Sequence, residues 1–174
     1  MESNEYLKIL HFNDVYVLEE REQAVTIEGT DVFTRGGAAR FVTAMKERKC
    51  DQKLVLFSGD VLSPSLLSTY VKGMQFVEVF CALNVQVSCI GNHDVFDYGV
   101  DNFLEFDRAS RAFAEEKTRI PNTWLMANFF LEKGQKEKKA IADLAGTHII
   151  EKNGRKIGII GLCDESWIGM YKSK

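Results

Sequence analysis

The sequence predicts an α/β fold: a mainly parallel sheet flanked by helices, joined by part of a second sheet. Short apolar runs alternate with stretches of helical period as far as Asn128, the pattern of right-handed β-α-β crossovers. Beyond them, Asn153-Gly154 separates two strand-like runs, and a pair at ease with positive φ favours a tight antiparallel hairpin. The length of 174 residues suits one domain or a large piece of one.

Taken in order, residues 6–12 (YLKILHF) form the first expected strand, stopped by Asn13-Asp14, which disfavour extended structure. Across 36–49, Ala38, Phe41, Val42 and Met45 recur at helical spacing, with Arg40, Lys46 and Glu47 on the other face. Residues 53–58 (KLVLFS) are almost unbroken in apolar character, as in a strand covered on both faces, and end at Gly59-Asp60. After Pro64 one helix runs through Leu66, Leu67 and Tyr70 to Gly73, and another groups Phe76, Val77, Phe80 and Cys81; both are expected to cover the sheet. Residues 85–90 make a third strand, stopped by Gly91-Asn92, and 100–117 a helix burying Val100, Phe103, Leu104 and Phe113. Pro121 precedes a weaker strand at 124–128, the charged run 132–139 (EKGQKEKK) reads as a solvated loop, and 146–151 with 156–162 supply the hairpin.

Composition narrows the function. A hydrophobic share of 45% and a charged share of 27% match a globular chain rather than a disordered or membrane one. A net charge of −3 argues against a nucleic-acid polymer as partner, which calls for clustered basic residues. Cys50, Cys81, Cys89 and Cys163 form no C-x-x-C pair, so free thiols are expected rather than a zinc knot. The start, MESNEYLKIL, has no apolar run of signal length, and no stretch of 18 apolar residues occurs, which points to the cytoplasm and to no membrane association.

The chemistry lies at three strand ends. Asn13-Asp14, Gly59-Asp60 and Gly91-Asn92-His93-Asp94 each follow an apolar run directly. In a parallel sheet such ends share one edge, where open α/β folds bind ligands. Asp14, Asp60, Asn92 and His93 can meet there, and gathered carboxylates repel one another unless divalent cations use their oxygens as ligands. Of the three histidines, His93 alone belongs to a strand end; His11 inside the first strand is expected to pack or to support, and His148 to sit exposed on the hairpin.

In that order and at those separations, HFNDVY, SGD and GNHD resemble the first three blocks of the calcineurin-like metallophosphoesterases, within them the 5'-nucleotidase branch. FTRGGAARF and GIIGL add weaker support. The protein Ser/Thr phosphatases of that superfamily continue the second block into Asp-Arg-Gly, whereas this chain reads GDVLSPS. The resemblance implies a calcineurin-like metallophosphoesterase fold and a two-metal hydrolase. Asp14 binds one cation, Asp60 bridges both, and Asn92 binds the second, the ions being drawn from Mn, Zn, Mg or Fe. Water activated by the cations attacks a phosphate ester or nucleotide. His93 donates to the phosphoryl oxygen or leaving group, oriented by an acid, Asp94 or Asp97.

Three departures qualify that expectation. The family pattern Asp-x-His becomes Asp14-Val15-Tyr16, so Tyr16 offers the first metal a phenol in place of an imidazole, which suits a harder cation or an empty position. GNHDVFDYG is one residue longer than the usual third block. The family's later histidines, a lone one and a Gly-His-x-His element, do not occur before Lys174. Residues 1–174 are therefore expected to be the N-terminal part of a catalytic domain, truncated at the C-terminus and carrying an incomplete site. The alternative is a non-catalytic short form or degenerate homologue, a protein-binding scaffold that self-associates through an exposed sheet edge.

Overall fold

The computed structural model describes residues 6–20, 22–48, 53–133 and 137–172. In chain order the elements are β1 (Lys8–Phe12), β2 (Glu22–Ile27), β3 (Thr30–Arg35), α1 (Ala38–Glu47), β4 (Lys53–Phe57), α2 (Leu66–Val71), α3 (Val77–Leu83), β5 (Val87–Cys89), α4 (Asn92–Phe96), α5 (Val100–Glu116), β6 (Thr123–Leu125), β7 (Phe130–Lys133), β8 (Glu137–Ala140), β9 (Thr147–Lys152), β10 (Arg155–Ile160) and α6 (Trp167–Lys172).

The apolar runs β1, β4, β5 and β6 pair side by side in that order, every pair parallel. Register sets the edge that matters: Phe12 lies opposite Phe57, and Phe57 opposite Ser88, so β1 and β4 stop level and their loops leave side by side. Helices cover one face. Phe12 meets Phe41 of α1 edge-on at 5.1 Å, and Phe57 meets Phe80 of α3 at 5.1 Å. Trp124 of β6 stacks on Phe80 and takes Phe103 of α5 edge-on. This aromatic cluster is the centre of the core, and the crossings are those the alternating pattern predicts.

The second sheet begins with β9 and β10, antiparallel about Asn153-Gly154, both at positive φ. It is tied to the end of β6, where Met126 N–H donates to Ala145 and Ala127 N–H to Gly161.

Three elements differ from expectation. α2 does not cover the sheet: Leu66 and Tyr70 are about four-fifths exposed, at 81% and 78%. Its polar side turns inward instead, with Ser68 buried, capping against Ser65 and meeting the Tyr98 hydroxyl. The charged stretch after β6 is no simple loop, because β7 and β8 pair antiparallel from Phe130–Ala140 to Lys133–Glu137; its connector 134–136 lies outside the described residues. Backbone pairing needs no apolar alternation, which is why composition misses it. The hairpin β2–β3 is the third. Ile27 pairs with Thr30 around Glu28-Gly29, and both turn residues take positive φ, as tight hairpins require.

Candidate metal centre at the strand ends

The loops after β1 and β4 are laced together by their backbones. Asp14 N–H donates to Gly59, Val15 N–H to Asp60, and Ser58 N–H to Phe12. Asp14 and Asp60 both take left-handed backbone, φ 55° and 68°, which aspartate tolerates better than most residues. The turn after β4 also presses on the turn after β5: a Cβ at Gly59 would overlap the backbone of Gly91, and a Cβ at Gly91 would overlap Asp60. Glycine at both positions lets the two strand ends touch.

Asp94 locks that contact. Its fully buried carboxylate accepts four backbone N–H groups, Val61 and Leu62 on Oδ1, Asp60 and Gly91 on Oδ2, at 2.8–3.0 Å. Burial pushes this carboxyl up to about 6, against the pull of those four donors. The bond from Gly91, the cap residue, to Asp94, the third residue of α4, is one half of a capping box. Of the two acids expected to orient His93, Asp94 is thus committed elsewhere; its role is to hold the loops. Asp97 does orient His93, its Oδ2 lying 2.7 Å from Nδ1. Asp97 Oδ2 accepts the Ser63 hydroxyl as well, at 2.8 Å. Ser63 carries no sequence signal, since 34 residues separate it from Asp97.

Asp60 lies at the centre. Its Oδ1 accepts the His93 backbone N–H at 2.9 Å, and its Oδ2 accepts the Tyr16 hydroxyl at 3.0 Å. Burial raises its carboxyl, and the His93 and Tyr16 donors oppose the rise. The same hydroxyl lies 2.8 Å from Asp14 Oδ1, so its single proton is shared between the two acids, while the Asn13 amide donates to Asp14 Oδ2. The Tyr16 phenol is held well above its ordinary range by burial first and then by its bonds to the two acids, so it is a neutral donor here. Asn92 opens α4 beside His93.

The structure thus brings together Asp14, Tyr16, Asp60, His93 and Asp97, with Asn92 at the adjoining helix start. His11 bonds through Nε2 to Ser58 Oγ at 2.6 Å, a supporting position one residue from Gly59. His148 is half-buried in the hairpin ladder opposite Ile159 rather than exposed. Among the described residues no three His, Cys, Asp or Glu side chains gather into a metal-binding group. The donors that do face one another, two carboxylates on either side of one hydroxyl, are all oxygen and fit a hard divalent cation better than zinc. Cys81, Cys89 and Cys163 are free thiols, and Cys50 lies outside the described residues.

No protein-family model and no curated protein sequence matches the chain. Solved structures do. NAD nucleotidase from Haemophilus influenzae superposes with a TM-score of 0.73 at 24% identity, over 93% of this chain and 27% of its own length. A 5'-nucleotidase precursor from Thermus thermophilus gives 0.66 at 24% identity, over 90% of this chain and 28% of its own. The calcineurin-like phosphoesterase YfkN from Bacillus subtilis gives 0.59 at 19% identity, over 96% of this chain and 51% of its own. The fold is that of the calcineurin-like phosphoesterases and 5'-nucleotidases, and the chain spans between about a quarter and a half of these proteins' lengths. No helix among the described residues is long and apolar enough to cross a membrane.

Proposed function

We propose that this chain is the N-terminal part of a metallophosphoesterase catalytic domain that hydrolyses phosphomonoesters, nucleotides among them. The observation that carries this reading is the His93–Asp97 pair standing one peptide from the Asp60 contact, on the edge where Asp14 and Asp60 share a donor. The nucleotidases and phosphoesterase that share the fold support the choice of substrate class.

Asp14, Asp60 and Asn92 would hold divalent cations, which when bound would supply Lewis acidity toward a phosphoryl oxygen and toward water. The chain's own groups do the rest. Asp97 accepts from His93 Nδ1, fixing the ring and leaving Nε2 to donate to a departing oxygen once the ring is protonated. Asp94 keeps the loop of Asp60 in register with the helix of His93, so the donor and the acids hold one spacing. A departing alkoxide needs a proton and a phosphoryl group needs its charge countered, and the two halves of the site answer those needs.

The test is hydrolysis of a nucleoside monophosphate with Mn²⁺ by the longest form of the protein its coding sequence specifies. Asp60→Ala and His93→Ala should each lose about a hundredfold or more, and unchanged rates in both would sink the reading.

A second reading, a non-catalytic scaffold that binds a second copy of itself, draws on Ile149 and Ile160. They share one face of the β9–β10 ladder and are exposed, as is Ile9 of the outer sheet strand β1. Sedimentation separates the readings: concentration-dependent association abolished by Ile149→Lys with Ile160→Lys supports the scaffold.

A further inference from the structure

Tyr16 reaches both acids at once. Its hydroxyl lies 2.8 Å from Asp14 Oδ1 and 3.0 Å from Asp60 Oδ2, and its ring meets His93 edge-on at 5.9 Å between centroids. The remaining carboxylate oxygens are also engaged: Asp14 Oδ2 accepts the Asn13 amide and Asp60 Oδ1 accepts the His93 N–H. Three protein donors thus serve the four oxygens of the pair, and one hydroxyl stands in the gap between the two acids. A phenol has a single proton to give. Two carboxylates sharing one neutral donor keep their mutual repulsion, which a divalent cation in the same gap would cancel.

Resting on the metal-site reading above, we infer that Tyr16 is a built-in competitor for the cation at the Asp14–Asp60 pair. Its hydroxyl bonds to both acids, and a divalent ion taking up the same carboxylate oxygens would have to displace it. The opposite role, a phenol that ligates the ion, requires Tyr16 to surrender the proton that both acids now share. Competition sets a threshold: the pair fills when the cation concentration is high enough to pull the two carboxylates off the hydroxyl, and the Tyr16 ring shifts against His93 as it does. Metal occupancy and the setting of the proton donor are thereby linked through one side chain.

Mn²⁺ binding measured by calorimetry and by electron paramagnetic resonance tests this. Tyr16→Phe keeps the ring and removes the hydroxyl, and it should bind Mn²⁺ about tenfold more tightly than the unaltered chain, the worth of one hydrogen bond to an ionised group. Asp60→Ala should abolish binding in both backgrounds. Equal or weaker binding by Tyr16→Phe, with Asp60→Ala still abolishing it, overturns the competitor and leaves the metal site standing. Binding that survives Asp60→Ala lies elsewhere and overturns both. No binding by either form also overturns the inference, since the freed pair should then accept an ion. A measurement on the unaltered chain needs no variant. Mg²⁺ added to protein carrying ¹³C-labelled tyrosine should move the Tyr16 ring resonance as the hydroxyl leaves the two acids, and a resonance left unmoved while Mg²⁺ binds overturns the proposal.

Discussion

Asp97 decides what His93 can do. A carboxylate only accepts, so the 2.7 Å contact at Nδ1 places the ring proton there and fixes the tautomer of the neutral imidazole. Nitrogen-15 spectra should show His93 protonated at Nδ1 in the unaltered chain and shifted toward the Nε2 form in Asp97→Ala. A ring with the same tautomer balance in both would deny Asp97 its role. Cys89 shows the opposite influence, burial with little to offset it. Burial pushes its thiol up to about 11 from an ordinary 9.0, and the S–H donates to the Leu162 carbonyl. The reactive form is the thiolate, so its population at mildly alkaline pH drops by about a hundredfold. Iodoacetamide at about pH 8.5 should modify Cys89 far more slowly in the folded chain than after urea unfolding, which peptide mass analysis reads directly. Equal rates would show that the thiol is not desolvated.

Between elements, one buried carboxylate joins two strand ends. Asp94→Asn keeps the shape and two of the four acceptances on Oδ1, but it turns an amide toward the Asp60 and Gly91 N–H groups that now meet Oδ2. Donors facing donors without solvent should cost about 2–4 kcal/mol, seen as an earlier urea midpoint. The pH dependence has a definite sign. Because burial holds the folded-state carboxyl near 6, the folded chain takes up a proton more readily than the unfolded one. That contribution is complete below the ordinary aspartate range and is lost as the pH rises through about 6. The stability advantage of the unaltered chain over Asp94→Asn should therefore widen from about pH 7 to about pH 5; an advantage that narrows would contradict the burial argument. Gly91→Ala attacks the same junction by volume, forcing the β5 turn off Asp60 at a cost of about 1–3 kcal/mol.

At the scale of the molecule, what the sequence shows depends on how local the signal is. The parallel strands are legible because each is an apolar run that must be covered on both faces. The acids at the strand ends are legible because Asp14 and Asp60 interrupt such runs abruptly. The choice between Asp94 and Asp97 is not, because it depends on α4 beginning at Asn92: only then does the i, i+4 spacing carry Asp97 to His93 while Asp94 turns back to the loops. The β2–β3 and β7–β8 hairpins escape for a related reason: their backbone pairing needs no apolar alternation in the sequence. The same division predicts where stability resides. Phe80 is 3% exposed and touches Phe57 of β4, Phe106 of α5 and Trp124 of β6, so it ties two strands of the sheet to α3 and α5. Phe80→Ala should cost about 3–5 kcal/mol, a large part of the roughly 5–15 kcal/mol that holds a domain together. Ile149→Ala, at an exposed hairpin position, should change stability by less than about 0.5 kcal/mol. Urea unfolding followed by Trp fluorescence and by far-ultraviolet dichroism checks both. Coincident midpoints that fall together in Phe80→Ala identify the aromatic cluster as the cooperative core, and a dichroism midpoint left unmoved would place the stability of the sheet elsewhere.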